Sequence, residues 1–265
     1  MKKYFVGVFF LLSSILFAES KTDTLRIDGS LSVIAVMPSI IEAFNAIDQS
    51  LFVNTGRGLE GGSARIAALR DHRIDIALAA KKMAIHEPGF RYIQIGSSAV
   101  ICAVNGAVPV VNITKVQLQE IFSGGINSWN RIDTTLLLPL QLFVRPKSNA
   151  DMEIVYDFIG VTKDSRAGSW GIIVARPENM VDSICTRIGS IGITSRLLLV
   201  NAPKKTHPVA IDGIYPSNEN ITAGMYPLIR PVTIIVRDES NNFVDRFIKF
   251  LESPEGKRAL VKNGM

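Results

Sequence analysis

The sequence predicts an α/β fold built on largely parallel sheets, and three observations carry that expectation. Short apolar runs rich in β-branched residues alternate with stretches whose apolar residues recur every three or four positions, the signature of strand–helix units. Glycine and serine cluster where strand-like runs give way to helix-like ones. The chain has 265 residues and is 47% hydrophobic, enough for one large or two modest cores.

The elements follow in order. Met1-Lys2-Lys3, an apolar run from Tyr4 to Phe17 and the small residues Ala18 and Ser20 form a secretory signal pattern. At about fourteen residues the run is shorter than the roughly twenty needed to span a bilayer. Residues 1–20 are therefore expected to be a signal peptide cleaved near Ala18 to Ser20, and no cysteine stands there to carry a lipid. TLRID, LFVNT, IDIALAA, AVICAVN, LQLFVR, GSIGIT and VTIIVR read as strands. SIIEAFNAI (39–47), SARIAALRD (63–71), KVQLQEIFSG (115–124), ADMEIVYDFIG (150–160) and NFVDRFIKFLES (242–253) read as helices.

Several function classes find no support. The formal charge is +5, falling to +4 without Lys2, Lys3 and Glu19, but the basic residues are scattered, so no nucleic-acid partner is expected. His72, His86 and His207 stand far apart, and no metal-ligand spacing is legible. No GxSxG, phosphate-binding glycine loop with its lysine, or paired-carboxylate signature is present, so neither catalytic residues nor a cofactor is expected. After the signal segment no run of eighteen apolar residues lacks charges. Cys102 lies in AVICAVN, a buried strand, so Cys102 and Cys185 are expected to be free buried thiols rather than a pair.

Three strand-to-helix junctions stand out. RIDGSLSV (26–33) offers Gly29, Ser30 and Ser32, and NTGRGLEGGSARI (54–66) offers four glycines and Ser63. VRPKSNADMEIVYDFIG (144–160) sets Arg145, Ser148 and Asn149 before a helix. Ser and Asn there would cap free N–H groups of the first turn. The same groups, with a guanidinium, would also hold an anion, because a helix N-terminus is positively polarised. In open α/β sheets such sites gather at the carboxyl ends of strands.

Read in order, these stretches resemble the periplasmic phosphate-binding proteins of ABC-type phosphate importers. DGSLSVIAVMPSIIEAF is similar to that family's opening Gly-Ser-x-Thr-Val and its helix. GGSARIAALRDHRIDIALAAKKM is similar to its Gly-Ser-Gly-x-Gly-Ile helix and Asp-Ile-Ala strand. ITKVQLQEIFSGGINSWN (113–130) resembles its Leu-Thr-x-x-Gln-Leu…Ile-Phe-x-Gly-x-Ile-x-x-Trp-Asn, the most distinctive of the matches. IGSIGIT, YPLIRPVTIIV (226–236) and FVDRFIKFLESPEGKRAL (243–260) resemble its late strands and C-terminal helix.

The resemblance implies a two-lobed periplasmic binding protein fold of type II, with mixed sheets flanked by helices and the ligand in the interlobe cleft. It implies lobe I from 21 to 105, lobe II from 106 to 205, and a return to lobe I with the C-terminal helix from 206 to 265. It implies a periplasmic monomer that binds inorganic phosphate or a related oxyanion and serves a membrane permease; a sensor or scavenger without a transport role is the alternative. Carried over by position, it implies ligand contacts from Ser32, Val33, Gly62, Ser63, Lys81, Arg145, Ser148 and Asn149, with Trp129 and Phe122 in the core of lobe II.

Four departures bear on the ligand. Gly62 stands at a serine position, Arg65 where glycine is usual, Lys81 where an acceptor aspartate is common, and Arg145 three residues before Ser148 rather than four. Hydrogen phosphate carries an O–H that must donate, and lysine has no acceptor. Glu60, Asp151 or a carbonyl would then have to accept.

Overall fold

The computed structural model of the chain describes residues 23–59, 61–80, 86–146, 149–161, 170–200 and 205–265. The expected signal peptide, Glu60, Lys81 and Ser148 lie outside the described residues.

Eleven strands are described: β1 Asp23–Gly29, β2 Leu51–Thr55, β3 Ile76–Ala79, β4 Phe90–Asn105, β5 Asn112–Ile113, β6 Gln141–Val144, β7 Ile172–Ile173, β8 Ser190–Ser195, β9 Thr206–Pro208, β10 Ala210–Ile211 and β11 Ile229–Arg237. The helices are α1 Leu31–Ile34, α2 Met37–Asn45, α3 Gly62–Arg70, α4 Lys115–Ser123, α5 Ala150–Ile159, α6 Glu178–Thr186, α7 Arg196–Leu199, α8 Asn218–Thr222, α9 Asn242–Glu252 and α10 Pro254–Lys262. The five helices expected from periodicity form within two residues of their predicted ends. Local chemistry fixes those ends. Thr114 caps α4 and Gln117 returns the bond in a capping box, while Gly124 closes the helix in a left-handed conformation. Ser253 ends α9, caps α10 through the Gly256 N–H, and precedes Pro254 at the first helical position.

The sheets are mixed rather than largely parallel. Main-sheet order is β2-β1-β3-β11-β4-β8-β6-β7, with β9 also on β4. The pairs β1–β2, β1–β3, β6–β8 and β6–β7 are parallel, and every antiparallel pair involves β4 or β11. The reason is topological. Parallel neighbours are joined by helical crossovers within a lobe, whereas β4 carries the chain out of one lobe and β11 brings it back.

Two large cores confirm two lobes. One gathers Leu25, Ile27, Val33, Ile40, Phe44, Ile76, Val232, Ile234, Phe247 and Leu251. The other gathers Val100 to Val104, Leu118, Phe122, Trp129, Leu142, Met152, Val155, Ile191, Val209, Tyr226 and Leu228. Trp129 and Phe122 are fully buried there, as expected, and the Trp129 indole N–H donates to the Gly189 carbonyl at 2.7 Å. Core membership changes between Ile95 and Ala99 along β4, and between Ile229 and Val232 along β11. The chain therefore crosses from one core to the other along these two paired strands.

Cys102 and Cys185 are both free. Burial pushes the Cys102 thiol up to about 12, so it is an inert core group. Cys185 is only half-buried, a correction to the expectation of two buried thiols.

Candidate functional site

A cavity of about 130 Å³ opens where strand ends from the two lobes face each other. β1 ends at Gly29 and β3 at Ala79 on one side; β6 ends at Val144 and β8 at Ser195 on the other. This is the place that strand–helix order predicts for a ligand.

The first lobe contributes Ser30, Leu31, Ser32, Gly61, Arg65 and Ala80. Gly29 makes this approach possible. Its φ is +144°, and a Cβ there would lie 2.2 Å from the Leu78 carbonyl oxygen, which accepts the Ser30 N–H at 2.9 Å. Ser30 Oγ and Ser32 Oγ are 3.2 Å apart. The glycine-rich loop is held by Asp28, whose Oδ1 accepts the N–H of Gly29 at 2.7 Å and of Gly58 at 2.9 Å. The Leu59 N–H donates to the Gly29 carbonyl at 2.8 Å, and Arg65 Nε donates to the Leu59 carbonyl at 3.1 Å. Helical side chains tilt toward the helix N-terminus, so Arg65, on the first turn of α3, reaches back over that end. It is 8% exposed.

The second lobe contributes Arg145, Asn149, Ala150, Asp151 and Pro177. Arg145 directly follows β6, is 6% exposed, and donates from Nη1 to the Val174 carbonyl at 2.6 Å, which orients its guanidinium. Asn149 caps α5 by accepting the Asp151 N–H at 3.0 Å. The capping reading of the 144–160 segment holds at Asn149, which also lines the cavity.

Between the lobes stands Arg230, 3% exposed, on the crossing strand β11. It is ion-paired to Asp151, and its Nη2 lies 2.6 Å from Ser195 Oγ and 3.0 Å from Ser32 Oγ.

Of the site residues read from sequence, Ser32, Arg145 and Asn149 meet in this cavity. Val33, Gly62 and Ser63 do not. The Val33 side chain is in the core and its N–H donates to the Ser30 carbonyl at 3.0 Å. Gly62 opens α3 behind Gly61, and Ser63 is exposed. Gly61, at φ +83°, and Arg65 line the cavity instead. Lys81 and Ser148 lie outside the described residues. Sequence reasoning missed Arg230 and treated Arg65 only as a departure. The signal for Arg230 was a lone arginine before a proline inside the apolar run LIRPVTIIV. A charge in a buried strand needs a reason.

Among the described lining residues there are three guanidinium groups and one carboxylate. Such a wall can hold an oxyanion through charge-assisted N–H and O–H donors. Among the described residues no cluster of histidine, cysteine, aspartate and glutamate could hold a metal, and no helix is long and apolar enough to cross a membrane.

Comparison with known proteins agrees with this architecture. The chain is 21% identical to the phosphate-binding protein PstS of Borreliella burgdorferi, over the whole chain and 98% of that protein. A phosphate ABC transporter substrate-binding protein from Clostridium perfringens, solved with bound phosphate and described as putative, superposes with a TM-score of 0.77 at 20% identity, covering 91% of this chain and 98% of that one. An ABC-type phosphate transport receptor from Vibrio cholerae superposes with a TM-score of 0.68 at 23% identity, again covering 91% and 98%. The family profile described as PBP superfamily domain matches residues 18–255, and by that match the chain belongs to the PBP superfamily.

Proposed function

We propose that the protein captures inorganic phosphate in the interlobe cleft and delivers it to the membrane permease of an ABC importer. The carrying observation is the donor set of the wall. Arg65 from one lobe and Arg145 from the other line a single cavity with the hydroxyls of Ser30 and Ser32, a donor set suited to an oxyanion. The names of the relatives point to the same ligand.

Arg145 and Arg65 hold the anion from opposite lobes, with Ser30, Ser32 and Asn149 as hydroxyl and amide donors. Lys81 and Ser148, which follow β3 and Arg145 in sequence, are further contacts in this reading. Asp151 accepts the phosphate O–H. One of its oxygens takes Arg230, and an ionised carboxylate keeps acceptor capacity on the other. Sulfate has no proton to give, so Asp151 disfavours it. Binding other oxyanions is the second reading, and the absence of an acceptor on Lys81 is what keeps it in play.

The activity is binding without a chemical step. Ligand that touches both lobes stabilises the closed form through its differential contacts, and the closed form is what the permease meets. The lobes we assign follow the cores: up to about residue 98 with 231–265 in the first, and 99–230 in the second. Residues 1–20 serve as the export signal, and the mature monomer acts in the periplasm.

A thermal-shift screen of the chain lacking residues 1–20 against a panel of oxyanions tests the reading. At a hundred times its dissociation constant a ligand adds about 2.7 kcal/mol, worth roughly 5–10 °C for a chain of this size. Phosphate should give that rise at micromolar concentration and sulfate should not. A flat response to phosphate would sink the proposal.

A further inference from the structure

We propose that Arg230 is the positioning residue that couples anion binding to lobe closure, by tying both lobes together from the hinge itself. The effect on affinity rests on the binding role proposed above, but the conformational effect can be read without any ligand.

Arg230 stands opposite Ser98 in the β11–β4 ladder, at the level where one core gives way to the other. The next residue, Pro231, has no N–H to donate, and the register shifts between Val232 and Thr233. A ladder that lacks a donor and carries a bulge at one level bends most easily there. From that pivot the guanidinium reaches in both directions. Nη2 bonds Ser32 Oγ of α1, whose neighbour Val33 packs in the first core. Nη1 pairs with Asp151 of α5, whose neighbour Met152 packs in the second. Nη2 also bonds Ser195 Oγ at the end of β8.

A guanidinium is planar and its donors leave in fixed directions. Ser32 and Asp151 sit on opposite lobes, so opening the cleft cannot keep both bonds. Arg230 therefore favours the closed form before ligand arrives. Its Nε is buried and has no partner among the described residues. A protein already biased toward closure binds its ligand more tightly, because the apparent dissociation constant is the intrinsic one divided by the competent fraction.

The test is the distance between the lobes, read by pulsed electron resonance between spin labels. The labels go on cysteines placed at exposed Ile47 of the first lobe and exposed Val116 of the second, in a Cys185→Ser background. Fully buried Cys102 stays unlabelled. Ligand-free protein with Arg230 intact should show mainly the short distance. Arg230→Lys keeps the charge and loses the fork, and Ser32→Ala removes the first-lobe oxygen that Nη2 reaches; both should move ligand-free protein toward longer distances, and excess phosphate should restore the short one. If the closed fraction falls to about a tenth, phosphate affinity falls about tenfold. Affinity lost with unchanged ligand-free distances would make Arg230 a plain ligand contact and overturn the proposal. Distances and affinity both unchanged would make it a static ion pair and overturn it equally. Should Arg230→Lys fail to fold, Ser32→Ala carries the test, since the ligand-free distance is read without phosphate. Shifted distances in a protein that ignores phosphate would sink the function proposed above and leave the clasp standing.

Discussion

Two buried aspartates, Asp75 and Asp151, each bind an arginine, yet only one of them faces a cavity. Asp75 belongs wholly to the first lobe. It accepts Arg26 Nε at 3.0 Å, Arg26 Nη2 at 2.9 Å and the Arg26 N–H at 2.9 Å, and Arg237 Nη2 approaches at 3.4 Å. Arg237 is in turn held by the carbonyls of Leu69 and Ile74. Asp151 has its main partner, Arg230, on the hinge, and that arginine also bonds Ser32 across the cleft. The chemistry is the same and the placement is not. Pairing inside one lobe locks β1 to its neighbours, whereas pairing across a hinge can change when the molecule moves.

Breaking the first pairing should cost the most stability. Asp75→Ala removes the carboxylate shared by half-exposed Arg26 and by Arg237, which keeps the Leu69 and Ile74 carbonyls, so the cost is about 2–3 kcal/mol of stability, below that of a fully buried pair. Chemical denaturation would measure it, with phosphate affinity of the folded fraction unchanged. A pH series sharpens this. Burial pushes the Asp75 carboxyl up, but the hydrogen bonds and charge of Arg26, with the charge of Arg237, outweigh it and hold the carboxyl below the usual range. Its contribution is thus complete above the unfolded value of about 3.9 and lost as pH falls through the lower folded value. Asp75→Asn should remove that part of the acid limb.

The cleft should respond in the opposite sense. Arg145→Ala should leave the melting temperature of ligand-free protein nearly unchanged and cost about 2–4 kcal/mol of phosphate binding by titration calorimetry. Unchanged binding would remove Arg145 from the site. Asp151→Asn keeps the shape and loses the carboxylate. It should narrow the preference for phosphate over sulfate by about 1–3 kcal/mol, the worth of one buried polar group left unmatched. At the low end stands Asp48, paired with Arg246 near the surface of the first lobe. Asp48→Ala should cost under about 1 kcal/mol and leave binding alone.

How far the sequence could lead follows from which signals are local. Helix periodicity and the glycine- and serine-rich strand-to-helix junctions are written within a few residues of where they act, and the five helices expected from them form. The first half of β4 did not. Its exposed Arg91 and Gln94 and its Gly96 dilute the apolar pattern, because that stretch is covered on only part of its length. The parallel bias failed at β4 and β11, whose direction is set by crossing between lobes, a property of the whole chain. In the site, Arg145 and Asn149 were legible because they sit beside their helix. Arg65 was misjudged because its reach over the N-terminus of α3 depends on where that helix begins. Arg230 was invisible as a site residue because its partners lie 35, 79 and 198 positions away.

The most direct test of the account is a crystal structure of the mature chain grown with phosphate. The account predicts one tetrahedral anion between the lobes, bonded to Arg145 and Arg65 from opposite sides, with Ser32 and Asn149 donating and Asp151 accepting. A phosphate seated elsewhere, or a closed cleft with those side chains turned away and no anion between them, would contradict it.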